Sequence, residues 1–298
     1  MRAAAANSRV VYITAVLVAC SASAFCQEWQ VETAGSVRIH FTSRNAAAVE
    51  ALRPVVTEAL DHIAQELRTG QLDSTDLYLA ADRQVFHILT GGRIPEWGSG
   101  CAFPARGQIY VHLEQSELRQ TVVHELAHIA LYQGARQAPL PRWFNEGLSM
   151  WLAREWEFRQ SLDLSLSVLL DRTHSLAEVE ELLAYPEVEA RRAYSESLSA
   201  VLFLQELGGR LIWAEVLRET AATGSFELAL VETVGMTRGE FSQVWRQHVR
   251  DEFNPLSLLA DFSLIWMSIV GLAIVAYIFT KYRGRQLARS WEQEGEGD

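Results

Sequence analysis

The chain has 298 residues, of which 49% are apolar and 21% charged, so it can bury a substantial core in one large domain or two small ones. Its formal net charge of −11 argues against nucleic-acid binding, which needs a basic surface. No Gly-rich phosphate-binding loop, internal repeat or low-complexity tract is visible in the sequence.

Residues 1–26 have the order of a secretory signal peptide. Two arginines precede the apolar run Val10–Ala19, and small residues follow it. Cleavage after Ala24 and cleavage after Cys26 both fit this pattern. A second interpretation stays open, because the Leu-Val-Ala-Cys sequence ending at Cys20 resembles a bacterial lipobox, in which that cysteine would be lipidated.

The segment from 27 to 252 predicts one folded domain that begins with strands. Residues that alternate between apolar and polar indicate strands, and apolar residues at helical spacing indicate helices. The predicted elements are paired strands in Glu28–Phe41, a helix over Asn45–Leu67, a strand over Asp76–Ala80, a helix over Arg83–Thr90, a Gly- and Pro-rich loop over Gly91–Gly107 and a strand over Gln108–Leu113.

Helices dominate the rest of this domain. A helix from Ser116 to about Gln133 would end at Gly134, and prolines separate it from a second helix from Trp143 to about Trp156. The further predicted helices are 161–171, 176–184, 187–207, 211–222, 225–234 and 238–252. The sequence therefore predicts an α+β fold with a small N-terminal mixed β-sheet and a mostly helical C-terminal half.

A stretch of 19 uncharged residues, Phe262–Thr280, predicts one transmembrane helix after a linker at 253–261. A buried core helix would usually keep a polar face, which this stretch lacks. Lys281 and three arginines begin the tail at 281–298, so the positive-inside rule places this tail in the cytoplasm. The folded domain would then lie outside the cytoplasm, where a signal peptide would also send it.

The sequence His124-Glu125-Leu126-Ala127-His128 lies within a predicted helix. Two histidines four residues apart project from the same side of a helix, so both imidazoles can reach one tetrahedral zinc ion. Glu125 is rotated away from the line of the two histidines, and it can take a proton from a water held at the metal. These five residues predict a hydrolytic zinc site.

Such a site needs a third protein ligand and one position for water. Glu146, 18 residues after His128 and near the start of the next helix, is the best candidate. A tight turn between the helices would make them antiparallel and return Glu146 to the metal. A solvated carboxylate at a helix start is the simpler alternative.

H-E-L-A-H followed by W-F-N-E-G-L resembles the gluzincin metallopeptidases, and most closely the bacterial peptidase MA-like domains. The resemblance implies a zincin-type active-site helix, with His124, His128 and Glu146 as zinc ligands and Glu125 as general base. Two features depart from gluzincins. Met150 stands where thermolysin-like enzymes carry an Asp that orients a zinc histidine, and no G-x-M-x-N exopeptidase motif precedes the helix. The sequence therefore does not support aminopeptidase activity.

The sequence also suggests roles for three residues and one strand. Tyr194 is the candidate donor to the oxyanion, because related domains carry a Tyr downstream of the Glu helix, although a partly buried helix Tyr fits equally well. The strand at 108–113 could pair with an extended peptide through its edge. His87 and His112 are interpreted as structural residues.

The main hypothesis is a zinc endopeptidase acting on peptides or proteins, anchored in a bacterial cell membrane by a single span with its catalytic domain outside the cytoplasm. The alternative is a catalytically weak protease-like domain that binds envelope proteins or peptides. A zinc hydrolase of a non-peptide bond is a third interpretation. An intramembrane protease is disfavoured, because the HExxH helix is polar and far from the predicted span.

Overall fold

A computed structural model describes residues 29–95, 98–155, 173–184, 187–252 and 266–281. Contacts divide the chain into two compact units, one of Met1–Glu157 with His174–Ser242 and one of Phe158–Thr173 with Gln243–Asp298. The predictions for the signal peptide, Cys20, the linker at 253–261, the helix at 161–171 and the tail after 281 lie outside the described residues.

The first unit contains a five-stranded mixed sheet. Its strands are β1 (Trp29–Ala34), β2 (Val37–Thr42), β3 (Thr75–Ala80), β4 (Gly100–Phe103) and β5 (Gln108–His112), in the spatial order β1-β2-β3-β5-β4. β1 and β2 form an antiparallel hairpin, β2, β3 and β5 are parallel, and β4 is antiparallel to β5. Gly35 turns the hairpin with φ +59°, a conformation that glycine adopts at low cost.

One face of the sheet is covered by helices. α1 (Ala46–Leu67) packs on β1 and β2, and α3 (Leu118–Gly134) packs on β4 and β5. The short helix α2 (Arg83–Leu89) lies between β3 and β4 in the chain. Ile39, Leu77 and Ile109 are register partners on neighbouring strands, and all three are fully buried. The sequence prediction of strands followed by helices is therefore confirmed, and the domain is α+β.

The helical half of the first unit surrounds a second apolar core. Its elements are α4 (Arg142–Leu152), a 3-10 helix (Glu178–Ala184), α5 (Glu187–Gly208), α6 (Ile212–Thr223), α7 (Phe226–Val234) and the start of α8 (Arg238–Glu252). Trp143 stacks on Phe241 with ring centroids 5.2 Å apart and meets Phe226 edge-on. Such aromatic pairs stabilise the contact beyond the area they bury.

Three predicted elements are wrong in detail. The predicted loop over Gly91–Gly107 contains β4, a four-residue edge strand too short to show a clear alternation. The helix predicted at 176–184 is present as a 3-10 helix that begins at Glu178 and has non-helical backbone at Glu181. α4 ends at Leu152, earlier than predicted, because the chain enters the left-handed conformation at Arg154.

The second unit includes a helix over residues 266–281. Its large apolar side chains are exposed, from 49% at Ile269 to 70% at Leu272. Among the residues that the structure describes, no helix combines the length and the apolar character that crossing a membrane requires. Part of the span predicted over 262–280, residues 262–265, is not described.

Candidate metal centre

The HExxH sequence lies in the middle of α3. Val122, Leu126 and Ile129 are buried and hold this helix against its neighbours. His124 and His128 lie one turn apart on another side, with ring centroids separated by 4.7 Å and ring planes at 80°. Their side chains are only 12% and 13% exposed. The packing of α3 therefore places both imidazoles side by side at a position with little access to water.

A sharp reversal of the chain brings Glu146 to these histidines. Gly134 is the last residue of α3, and left-handed backbone at Arg136 and Gln137 turns the chain before α4 begins at Arg142. Gly134 itself packs closely, since an added Cβ would lie 2.6 Å from Leu217 Cδ2. The chain reversal after α3 is thus made by the two residues that follow Ala135.

The three side chains have the geometry of a metal site. Glu146 Oε2 lies 3.5 Å from His124 Nε2 and 3.5 Å from His128 Nε2. Ligands at the usual 2.0–2.1 Å from a tetrahedral zinc ion are separated by roughly 3.4 Å. Glu146 Oε2 is also buried without a hydrogen-bond partner. His124, His128 and Glu146 can therefore hold one ion, and their nitrogen and oxygen donors suit zinc.

The pKa shifts of Glu146 and His124 also indicate a site for a cation. Burial alone would raise the pKa of Glu146, but the charge of His128 and the close polar contacts with both imidazoles hold this pKa below its usual range. At His124 burial favours the neutral ring, yet the charge of Glu155, the close contact with Glu146 and the hydrogen bond to Glu155 raise the pKa well above its ordinary value. The cluster thus stabilises a cation between the rings, either protons or a metal ion.

The second nitrogens of the two rings have partners that the sequence did not reveal. His124 Nδ1 lies 3.0 Å from Glu155 Oε1. His128 Nδ1 lies 3.0 Å from Asn145 Oδ1 and 3.1 Å from Ser149 Oγ. A carboxylate only accepts hydrogen bonds, so Nδ1 of His124 donates to Glu155, and Nε2 is the nitrogen that faces Glu146.

Glu125 lies beside the cluster and near the edge strand. It is 7% exposed, and a Cβ added to Gly100 of β4 would lie 2.9 Å from Glu125 Oε1. Burial raises the pKa of Glu125, and the charges of His128 and His124 only partly oppose this shift. A raised pKa makes this carboxylate a better proton acceptor.

Tyr194 of α5 is also close to the cluster. α5 approaches α4 at Gly147, where an added Cβ would lie 2.6 Å from the carbonyl carbon of Ser197. Burial raises the pKa of Tyr194 well above its ordinary value, and the charges of Glu146 and Glu125 raise it further. The Tyr194 hydroxyl is thus protonated at neutral pH and can donate a hydrogen bond.

The peptide-binding edge predicted at 108–113 is wrong. β5 pairs with β3 on one side and with β4 on the other, so neither of its edges is free. The edge strand beside the cluster is β4, and its outer edge has no partner strand among the described residues. His112 is buried against Phe86 and, like His87, is not among the residues of the His124 cluster.

Sequence comparison relates the chain to a known superfamily. The Peptidase MA superfamily matches residues 59–251, which include the whole cluster. The chain belongs to the Peptidase MA superfamily. It is also 25% identical over 169 residues to the uncharacterized protein YhcO of Bacillus subtilis (strain 168). This alignment covers 53% of the chain and 50% of the relative, so the chain spans about half the length of that protein.

Membership supports a metallopeptidase-like domain and a zinc-type centre at the His/Glu cluster.

The sequence did not indicate Asn145, Ser149 and Glu155 as partners of the two histidines. Asn145 directly precedes Glu146, and Ser149 follows one turn later, so helical spacing could have indicated these two. No spacing rule relates Glu155 to His124, which lies 31 residues earlier.

Proposed function

We propose that this chain is a zinc metallopeptidase that hydrolyses peptide bonds as an endopeptidase, with zinc held by His124, His128 and Glu146. The observation that carries the proposal is Glu146 Oε2, which is buried, has no hydrogen-bond partner and lies 3.5 Å from both Nε2 atoms. Superfamily membership supports the same chemistry.

Zinc in this site would act as a Lewis acid that polarises the scissile carbonyl and acidifies a neighbouring water. Glu125 accepts the proton of the attacking water and passes it to the leaving amine. The burial of Glu125 suits this role, because it raises the pKa of the carboxyl group. The difference between this pKa and the pKa values of the water and the amine is then smaller, which favours proton transfer.

Substrate binding would use the edge of β4. An extended peptide that pairs with this strand would run past Gly100, and therefore past Glu125. The protonated hydroxyl of Tyr194 would donate a hydrogen bond to the oxyanion that forms on the carbonyl. The substrate class that follows is a peptide or an unfolded protein segment.

For location, we propose a bacterial cell envelope protein with the metallopeptidase domain outside the cytoplasm. The support is the signal-like sequence at 1–26, with lipidation of Cys20 as its alternative, and the uncharged stretch Phe262–Thr280 followed by basic residues. The exposed apolar side chains of the helix at 266–281 fit an apolar environment for that segment.

The deciding experiment compares the full chain with Glu125→Gln. Zinc content is measured by elemental analysis, and hydrolysis is measured with a library of quenched fluorescent peptides. We expect wild type to hold one zinc and to cleave peptides. Glu125→Gln should keep the zinc and lose about 10²–10⁴-fold in rate, since it removes the general base. Glu117→Gln, at an exposed position before α3, is the control and should match wild type.

The other outcomes are equally informative. A wild-type chain without zinc would overturn the proposed metal site. Zinc binding without cleavage of any peptide, combined with peptide binding that Glu125→Gln leaves intact, would favour the protease-like binding domain. Cleavage that survives Glu125→Gln would exclude this carboxylate as the base.

A further inference from the structure

We propose that Glu155 is the positioning residue that orients the His124 imidazole for metal binding, and that it replaces the carboxylate missing at Met150. This inference rests on the proposed zinc site. Met150 is 5% exposed and carries no group that could accept a hydrogen bond from an imidazole N–H with comparable strength.

The contact between Glu155 and His124 is direct. Glu155 Oε1 lies 3.0 Å from His124 Nδ1, and the two side chains are 23% and 12% exposed. The opposite nitrogen of the same ring, Nε2, lies 3.5 Å from Glu146 Oε2. The His124 imidazole thus lies between a carboxylate that accepts a hydrogen bond from its Nδ1 and the position that a metal would occupy. Such carboxylate–histidine–metal arrangements fix the tautomer and increase the basicity of the ligand.

The end of α4 explains how Glu155 reaches this position. Arg154 adopts φ +58°, Arg154 N donates to Trp151 O at 3.0 Å, and Glu155 N donates to Met150 O at 3.0 Å. This pattern is a Schellman-type helix end, which reverses the chain direction. Gln120 Nε2 donates to Arg154 O at 3.4 Å and attaches the turn to α3, one turn before His124. The reversal therefore returns Glu155 to the metal ligand.

The two histidines differ in the charge of their partners. His128 Nδ1 faces the neutral oxygens of Asn145 and Ser149, whereas His124 Nδ1 faces a carboxylate. Of the contacts to the two Nδ1 atoms, only the contact to His124 Nδ1 involves a negatively charged group. Removal of this charge should weaken the binding of a dipositive ion more than loss of a neutral contact at His128.

The test measures zinc affinity by competition with a chromophoric chelator, on full-length wild type, Glu155→Gln, Glu155→Ala and Ser149→Ala. We expect zinc affinity to fall roughly 10–100-fold in Glu155→Gln and at least as far in Glu155→Ala. Ser149→Ala should lose less, because Asn145 still accepts from His128. Unfolding temperatures of the metal-free proteins serve as the second measurement, and Glu155→Gln should match wild type.

Zinc affinity in Glu155→Gln equal to that of wild type would overturn this inference and leave the proposed function standing. A metal-free Glu155→Gln that unfolds well below wild type would also overturn it, because Glu155 would then be structural. Absence of zinc from wild type would overturn both proposals. The expected pair of results is weaker zinc binding with an unchanged metal-free unfolding temperature.

Discussion

Substitution of Gly147 by alanine tests how closely the candidate metal site depends on helix packing. A Cβ at Gly147 would overlap the carbonyl oxygen of Ser197, and it would lie 2.6 Å from the carbonyl carbon and 2.8 Å from Val201 Cγ2. Ordinary contact begins at 3.4 Å, and the atoms of Ser197 belong to the backbone of α5. The two helices must therefore move apart by roughly 1 Å, because the backbone atoms of Ser197 cannot rotate out of the way as a flexible side chain could.

The size of the effect follows from two opposing terms. Overpacking typically costs about 1–3 kcal/mol, and a clash with backbone belongs at the upper end of that range. The higher helix propensity of alanine relative to glycine offsets this cost by about 1 kcal/mol. We expect a net loss of about 2 kcal/mol, which lowers the unfolding temperature of a domain of this size by roughly 4–8 °C. Glu146 is the preceding residue, and a displacement of 1 Å in an active site can cost about 10²-fold in rate.

The assay combines thermal unfolding with zinc affinity and peptide hydrolysis. Gly239→Ala in α8 is the matched control, because an added Cβ there meets only Thr237 Oγ1 at 4.0 Å. This control should unfold at or slightly above the wild-type temperature, with wild-type zinc affinity. If Gly147→Ala behaves like Gly239→Ala in all three measurements, the argument from close packing of α4 and α5 is refuted.

Two further predictions concern other side chains. Tyr194→Phe should lower kcat by about 10²–10³-fold with zinc affinity unchanged, because it removes one donor to the oxyanion; equal kcat in both proteins would assign Tyr194 to packing alone. Asp76 accepts hydrogen bonds from Arg38 and His40, which lower its pKa to about 2 from an ordinary 3.8. The stabilisation from this lowered pKa is present above about pH 4 and is lost as the pH falls towards 2, so Asp76→Asn should lose less stability than wild type between pH 4 and pH 2 in urea unfolding. Parallel pH profiles for the two proteins would contradict this assignment.

Local patterns were enough for the part of the site that lies on α3. The i, i+4 spacing of His124 and His128 follows from helix geometry alone, because both residues lie within one helix whose apolar period is clear. The α+β arrangement also follows from the order of strand-like and helix-like patterns. Both predictions use interactions between residues close in the sequence, which local periodicity reports well.

Other features depend on contacts between distant residues. Glu155 reaches His124 only because Arg154 adopts a left-handed conformation after α4, and propensity does not predict that conformation for an arginine. The identity of the edge strand depends on β4 pairing outside β5, which four residues without a clear alternation could not indicate. The position of Tyr194 near Glu146 and Glu125 likewise depends on the close approach of α5 at Gly147.

The sequence by itself determined the helix with its two histidines and the order of strands and helices, and it predicted Glu146 as the best candidate for a third ligand. Only the tertiary structure decided that Glu146 Oε2 lies 3.5 Å from the Nε2 atoms of both imidazoles. It also decided which oxygen atoms form hydrogen bonds with the two Nδ1 atoms. The physical reason is that a metal site requires distances accurate to a few tenths of an ångström, and such distances come from helix packing and chain reversals rather than from residue spacing.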